Sequence, residues 1–138
     1  MIKLSKITDY AVVILAYMSR NDKLLSASDI SNYTSLPEPT VSKILKLLSK
    51  SSIIKSVRGA SGGYVMLKKE SDITANDIIT AIEGPIALTS CVDGSKNDPC
   101  KTINICPLSN GWQKINDAIT DALSTVTLEE LVSYEEAK

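Results

Sequence analysis

The sequence contains no histidine and no phenylalanine among its 138 residues, and it has one tryptophan and three cysteines. Without phenylalanine, a core has to be built mainly from isoleucine, leucine, valine and alanine, which a chain of this length can bury in one domain with an appended helix. Because histidine is absent and no convergent acid–base set stands out, the sequence offers no candidate for an enzyme active site. We therefore expect a binding or regulatory protein.

Long hydrophobic runs are missing too. The most apolar stretch, residues 11–18, is too short to span a bilayer, and no small-residue cleavage site follows it. A chain with this profile is expected to be cytoplasmic and to have no membrane partner.

The charge is small overall but unevenly distributed. The net charge is −1, yet residues 36–69 carry seven basic side chains against the single acid Glu38, whereas residues 70–138 carry twelve acids and four lysines. The basic side chains of the middle segment are Lys43, Lys46, Lys50, Lys55, Arg58, Lys68 and Lys69. Such a segment favours a local phosphate-binding surface, although lysines that only solvate helix faces would give the same count.

Two helices are predicted at the start of the chain. Thr8 is a candidate N-cap for a helix over about residues 9–20, whose apolar side chains are dense enough to be mostly buried. Ser26 and Asp29 resemble a capping box, which starts a second short helix that reaches Asn32.

A third helix and a hairpin follow. Pro39 suits the first turn of the third helix, in which apolar residues have helical periodicity and three lysines share one face. Residues 53–57 and 64–67 have strand character, and the glycine-rich loop 58–63 joins them. Three helices and a hairpin with a basic tip predict a mainly α winged helix-turn-helix with a two-stranded wing, in which the third helix enters the major groove of DNA.

The second half of the chain reads as helices around an irregular segment. Thr74 caps a predicted helix over residues 75–83, and residues 88–107 are rich in turn formers and contain every cysteine. A long helix is predicted from Leu108 to about Ser124, and a short last helix begins at Leu128.

The long helix has an apolar stripe that exceeds what a small domain needs to cover itself. A second copy of the chain is the natural cover, and a homodimer suits palindromic DNA, although a purely intramolecular role stays open. The stripe consists of Trp112, Ile115, Ile119, Ala122 and Leu123. The predicted organisation is therefore a DNA-binding domain (1–70), a connecting helix (71–87), a cysteine segment (88–107), and a dimerisation helix with a tail (108–138).

The three cysteines, Cys91, Cys100 and Cys106, have the spacing C-x8-C-x5-C. An odd number of cysteines in a chain with no export signal argues against a disulfide framework. Structural zinc usually takes closely spaced cysteine pairs and often histidine, which is absent here. Three thiols in a turn-rich segment suit iron–sulfur ligation with one further ligand, and thiol–disulfide switching is the alternative.

Several stretches match a known family of regulators. They are Leu4–Ala11, Val41–Leu48 in the third helix, Val57–Tyr64 in the wing, Asp77–Ile79, Glu83–Ile86 and the ordered cysteines. Through them the chain resembles, over essentially its whole length, the Rrf2 family of bacterial transcription regulators, which includes IscR-like, NsrR-like and RirA-like members. Any single stretch is weak evidence, but the wing together with the cysteines is specific.

Two further stretches, Ala81–Leu88 and Asn110–Asn116, resemble the branch that regulates the SUF system of iron–sulfur cluster assembly. The resemblance implies a homodimer that binds a double-stranded operator and senses an iron–sulfur cluster, either 2Fe–2S or 4Fe–4S. Members that respond to nitric oxide or to iron use the same scaffold, so they remain alternatives, as does a cluster-free thiol-redox regulator.

The resemblance also implies cluster ligands and shows where this chain departs from the family. Cys91, Cys100 and Cys106 match the family's ligands, but the position where IscR-like members have a histidine ligand is Ser109. NsrR-like members use an acidic residue from the N-terminal helix of the other subunit, and the matching residue is Asp9. Asp9 is therefore the expected fourth ligand, unless its carboxylate only supports the start of its helix.

The expected DNA contacts lie on the third helix and the wing. Side chains near the N-terminal end of a recognition helix reach base edges or phosphates, and the wing lies on the backbone or the minor groove. The candidate residues are Thr40, Ser42, Lys43, Lys46, Arg58 and Ser61.

Overall fold

A computed structural model describes residues 3–89, 92 and 105–136. Within these residues the chain forms six α-helices and one two-stranded antiparallel sheet. The elements are α1 (Lys6–Ser19), α2 (Ala27–Thr34), α3 (Glu38–Lys50), β1 (Ile54–Val57), β2 (Gly63–Met66), α4 (Ala75–Glu83), α5 (Ser109–Thr125) and α6 (Leu128–Glu136). The mainly α winged helix-turn-helix with a long C-terminal helix is thereby confirmed.

The first helix begins earlier than its sequence predicts. The N-cap is Ser5, whose side chain accepts a hydrogen bond from the Thr8 backbone N–H, so α1 starts at Lys6. Thr8 is therefore not the cap but a buried residue inside the first turn, with its hydroxyl 3.1 Å from the Ser5 Oγ. The prediction of Thr8 as N-cap was wrong because two hydroxyl residues stand three positions apart and the earlier one takes the capping role.

The second helix is capped as predicted. Ser26 and Asp29 form a capping box: the Ser26 Oγ accepts from the Asp29 N–H, and an Asp29 carboxylate oxygen accepts from the Ser26 N–H at 2.9 Å. These hydrogen bonds lower the pKa of the Asp29 carboxyl group. The helix runs on to Thr34 and ends at Ser35, which has a left-handed backbone with φ of 63°.

The two strands of the wing pair in antiparallel register, from Ile54 opposite Met66 to Val57 opposite Gly63. A third segment extends this sheet, because Leu25 exchanges backbone hydrogen bonds with Tyr64 in both directions, at 3.0 and 2.8 Å. The base of the wing is thus joined to the connection between α1 and α2.

The core lies between α1, α2, α3 and α4, and it also takes side chains from the C-terminal helix. Leu128 and Val132 of α6 are buried in the same cluster as the apolar residues of α1 and α3. The chain before α6 is fixed by backbone hydrogen bonds from the Leu128 N–H to the Ile73 carbonyl oxygen and from the Ala75 N–H to the Val126 carbonyl oxygen, both 2.8 Å. None of the helices in the described ranges is long and apolar enough to cross a membrane.

Candidate nucleic-acid interface and cysteine segment

The outer face of α3 presents a shallow basic groove. The inner face of this helix is fixed by Val41, Ile44, Leu45 and Leu48, which are fully buried in the core. Because a helix that buries one face must turn the other outward, its lysines face solvent. The groove has a volume of about 490 Å³ and is lined by Pro39, Ser42, Lys43, Lys46, Leu47 and Lys50.

Three of the predicted DNA-contacting residues, Ser42, Lys43 and Lys46, are therefore brought together in one groove. Thr40 lies half-buried in the first turn of the same helix. Two lysines next to a serine hydroxyl provide charge for phosphates and a hydrogen-bonding group for base edges or backbone.

The wing carries the remaining two predicted DNA-contacting residues. Arg58 and Ser61 are exposed in the turn between β1 and β2, outside the α3 groove. The turn is tight at Gly62, where a Cβ atom would lie 2.2 Å from the Val57 carbonyl oxygen and 2.9 Å from that of Gly59. Glycine is thus required there for the turn to keep its shape.

The cysteine segment is described only in part. Cys106 is a free, half-buried thiol three residues before α5, whereas Cys91 and Cys100 lie outside the described residues. Asp9 is exposed in the first turn of α1. The part of the chain that the structure describes contains no group of three or more histidine, cysteine or acidic side chains able to hold a metal. The four-ligand set thus stays a prediction.

Asp9 stands at the edge of an apolar groove. The groove has a volume of about 620 Å³ and lies between α1, α4, α5 and α6. Its apolar lining is contributed by Leu4, Val12, Ala75, Ile78, Ile79, Leu123, Val126 and Leu131, and its polar rim by Ser5, Lys6, Thr8 and Asp9.

The apolar stripe of α5 divides into two edges. Ile119 and Leu123 are half-buried against the chain's own α4 and N-terminus, where they line a small cavity. Trp112, Ile115 and Ala122 are exposed, Ile115 to 47%. The second edge is a row of apolar side chains that the described part of the chain leaves uncovered.

A buried polar residue on this helix escaped the sequence analysis. Asn116 is 5% exposed, and its Oδ1 accepts from the Leu88 N–H at 3.0 Å while its Nδ2 donates to the Ile86 carbonyl oxygen at 2.9 Å. The signal that could have found it is its position within the apolar stripe, four residues after Trp112 and three before Ile119. Partners 28 and 30 residues away cannot be inferred from local pattern.

Comparisons with known proteins agree with this geometry. The Rrf2 family model, described as an iron-dependent transcriptional regulator, matches residues 4–134. CymR of Bacillus subtilis (strain 168) is 34% identical over 109 residues, covering 79% of this chain and 72% of that protein.

Solved structures give the same result. The structure of CymR, the global cysteine regulator of B. subtilis, is similar with a TM-score of 0.70 and 29% identity over 97% of this chain and 98% of that one. The structure of T. potens IscR has a TM-score of 0.65 and 27% identity over 99% of this chain and 89% of that one.

Proposed function

Because the chain belongs to the Rrf2 family of transcriptional regulators and binds DNA rather than catalysing a reaction, we propose that it senses an iron–sulfur cluster. In this proposal the protein is a cytoplasmic homodimer that controls iron–sulfur assembly genes of the SUF type. The observation that carries the DNA-binding part is the basic groove on the outer face of α3, with the wing beside it in the fold.

In this proposal, α3 lies in the major groove of the operator. Thr40, Ser42 and Lys43 face base edges or phosphates, and Lys46 contacts the DNA backbone. Arg58 and Ser61 contact the backbone or the minor groove from the wing. Two copies of α3, related by the dimer axis, match the two halves of a palindromic site.

The exposed edge of α5 supports the homodimer. Trp112, Ile115 and Ala122 form an apolar row on an otherwise polar helix surface, and a second copy of the same helix would remove it from water. A fourth ligand from the partner requires that the dimer bring one subunit's first helix near the other subunit's cysteine segment, and this arrangement is part of the proposal.

The residues present fit an iron–sulfur cluster by the chemistry of their donor atoms. Cys106 is a free thiol rather than part of a disulfide, and Asp9 has an exposed carboxylate. Thiolates are the ligands that iron–sulfur clusters use most, and a carboxylate can complete the set. We propose that Cys91, Cys100 and Cys106 of one subunit and Asp9 of the partner subunit hold the cluster.

The cluster, when bound, supplies chemistry that responds to the redox and iron status of the cell. The protein's own contribution is mechanical: with its cysteines drawn together, the segment between α4 and α5 becomes a fixed part of the subunit interface. Releasing them changes the angle between the two α3 helices and thus the fit to the operator. The change in operator affinity cannot exceed the difference in the free energy of cluster binding between the two forms of the dimer.

The test is the visible absorption spectrum, with the iron and sulfide content, of protein purified without oxygen. We expect a coloured protein that loses its cluster when Cys91, Cys100 or Cys106 is replaced by alanine, and that retains it in the control variant Ser109→Ala. Asp9→Ala should alter the spectrum or shorten the cluster's lifetime. Operator affinity is then compared between loaded and cluster-free dimers, and equal affinities would contradict the sensing mechanism.

A second candidate function is a cluster-free thiol regulator. It is favoured by the similarity to CymR, the global cysteine regulator of B. subtilis, and by the half-buried free thiol of Cys106. This candidate predicts a colourless protein that resists anaerobic reconstitution and forms a reversible disulfide. A nitric-oxide sensor would instead be coloured, and its spectrum would change on titration with nitric oxide.

A further inference from the structure

We propose that Asn116 is the positioning residue of the cysteine segment. Asn116 lies on α5, the helix that follows Cys106, and its buried amide fixes on this helix the backbone that leads to Cys91. The inference rests on the proposed function, because it assigns a role in arranging the thiol ligands. The residues that carry it, Ile86, Leu88 and Asn116, all lie in the described part of the chain.

The contact uses both the acceptor and the donor of the Asn116 amide. The carbonyl oxygen of the Asn116 side chain accepts from the Leu88 N–H at 3.0 Å, and its NH₂ group donates to the Ile86 carbonyl oxygen at 2.9 Å. A carboxylate lacks the donor, and an aliphatic side chain has neither function. In asparagine the acceptor and the donor are two separate atoms, and each reaches one of the two backbone groups.

The burial of Asn116 shows that this contact is more than a surface hydrogen bond. Its side chain is 5% exposed, whereas its neighbours Ile115 and Asp117 on α5 are exposed. A buried amide is costly unless its hydrogen bonds are made, and removing it would leave the Leu88 and Ile86 backbone groups without these partners. The two hydrogen bonds of Asn116 with Leu88 and Ile86, which we call the Asn116 clamp, therefore hold the 86–88 backbone in one place on α5.

Because of the Asn116 clamp, both ends of the cysteine segment are attached to helix α5. Leu88 precedes Cys91 by three residues, and Cys106 precedes the start of α5 at Ser109 by three residues. Asn116 lies seven residues into α5, which is about 10 Å along the helix axis. The two ends of the segment are thus anchored on α5 about two turns apart.

The clamped backbone is also connected to the helix that carries Asp9. Residues 84–88 share a small cavity with Lys3, Leu4 and Ile119. At the end of α4, a carboxylate oxygen of Glu83 accepts from the backbone N–H of Ser5, the N-cap of α1, at 3.3 Å. The position of the segment is therefore coupled to the start of α1 as well as to α5.

Two variants test the role of the amide. Asn116→Leu has a similar size but removes both hydrogen bonds, and Asn116→Asp keeps the acceptor for the Leu88 N–H while losing the donor to Ile86. The matched control is Gln113→Leu, on the same helix, which removes an exposed amide that donates to Asp117 at 2.8 Å. Asn116→Asp keeps the proposal testable if the leucine variant does not fold.

Three measurements are made on each variant. In the cluster-free protein, we expect hydrogen exchange at the Leu88 amide to accelerate about tenfold in Asn116→Leu, and alkylation of Cys91 by iodoacetamide to accelerate relative to that of Cys106. After anaerobic reconstitution, we expect the rate of cluster loss to a chelator to rise about tenfold, as for other supporting residues of metal sites. Asn116→Asp should fall between Asn116→Leu and wild type, and Gln113→Leu should match wild type.

The outcomes separate the inference from the function on which it rests. If wild type holds a cluster and both Asn116 variants hold it equally well, with unchanged Cys91 alkylation, Asn116 is only a packing residue and the inference is wrong. If wild type cannot be reconstituted, the proposed function fails. In that case, hydrogen exchange at the Leu88 amide and alkylation of Cys91 still test the inference.

Discussion

At the scale of single residues, the three lysines of α3 line one groove on the outer face of that helix. Each lysine that neutralises a phosphate releases counterions, so its removal changes how binding depends on salt. We predict that Lys46→Ala weakens operator binding and lowers the slope of log affinity against log salt by about 0.9. Arg58→Ala should weaken binding too.

The measurement is a fluorescence anisotropy titration with labelled operator at several salt concentrations. The control variant is Lys114→Ala, an exposed lysine on α5 outside the groove. An unchanged affinity and salt slope in both Lys46→Ala and Arg58→Ala would show that α3 and the wing do not form the DNA-binding face.

Gly62 is the residue on which the shape of the wing depends. A methyl group there would lie 2.2 Å from the Val57 carbonyl oxygen, so the turn has to open and the wing has to move. We predict that Gly62→Ala lowers operator affinity about tenfold, or about 1.4 kcal/mol, while the circular dichroism spectrum stays that of a helical protein. Gly111→Ala is the control, because a Cβ atom at Gly111 meets no atom within 4 Å; equal losses in both would point to a general defect.

At the scale of elements, helix α2 is held at its start by the Ser26–Asp29 capping box. The hydrogen bond from the Ser26 backbone N–H, with a smaller contribution from the Ser26 side chain, lowers the pKa of Asp29 below 3.8. A carboxyl group with a lowered pKa stabilises the fold above its unfolded-state pKa, and this stabilisation is lost as the pH falls through the folded value.

We therefore predict that Asp29→Ala lowers the melting temperature at about pH 7 and that the difference from wild type shrinks as the pH falls below 3.8. The measurement is thermal unfolding followed by circular dichroism at neutral and acid pH. Ser28→Ala, in the same exposed first turn, is the control and should show no such dependence. A constant difference at all pH values would contradict the role of the ionised carboxylate.

The boundaries of the helices and strands show which features of the fold can be predicted from the sequence and which cannot. The Ser26–Asp29 capping box and the Thr74 cap predicted the starts of α2 and α4 correctly, because capping is a local interaction. The start of α1 was wrong because two candidate caps compete, and only packing buries Thr8. The first strand begins one residue later than predicted and the second lies one residue earlier, since pairing rather than propensity decides where a strand starts and stops.

The site was predictable to a similar degree. Helical spacing placed Lys43, Lys46 and Lys50 on one face, and the structure brings them into one groove. The Asn116 clamp was not predictable because its partners are 28 and 30 residues away, and contacts at that distance depend on the tertiary fold.

At the scale of the whole molecule, the exposed edge of α5 is the surface through which we propose that two copies of the chain form the dimer. We predict that Ile115→Glu, which puts a charge on this edge, converts the dimer to a monomer and weakens operator binding at least about tenfold, because an unpaired charge is costly to bury. The measurement is sedimentation velocity at several protein concentrations. Gln113→Glu, which places the same charge on another side of α5, should stay dimeric; a dimeric Ile115→Glu would mean that a different surface joins the subunits.

The return of the C-terminal helix to the core has a consequence for how such regulators diversify. Since α4 packs against α5 and Leu128 of α6 is buried beside α1 and α3, residues 89–108 connect two elements that are already neighbours. Closing a loop between fixed points costs entropy that grows only with the logarithm of its length, about 0.6 kcal/mol for each doubling. Changes in the length of this connection therefore cost little chain entropy, and the DNA-binding domain can keep its shape. New signals can be acquired on this scaffold by changing one connecting segment.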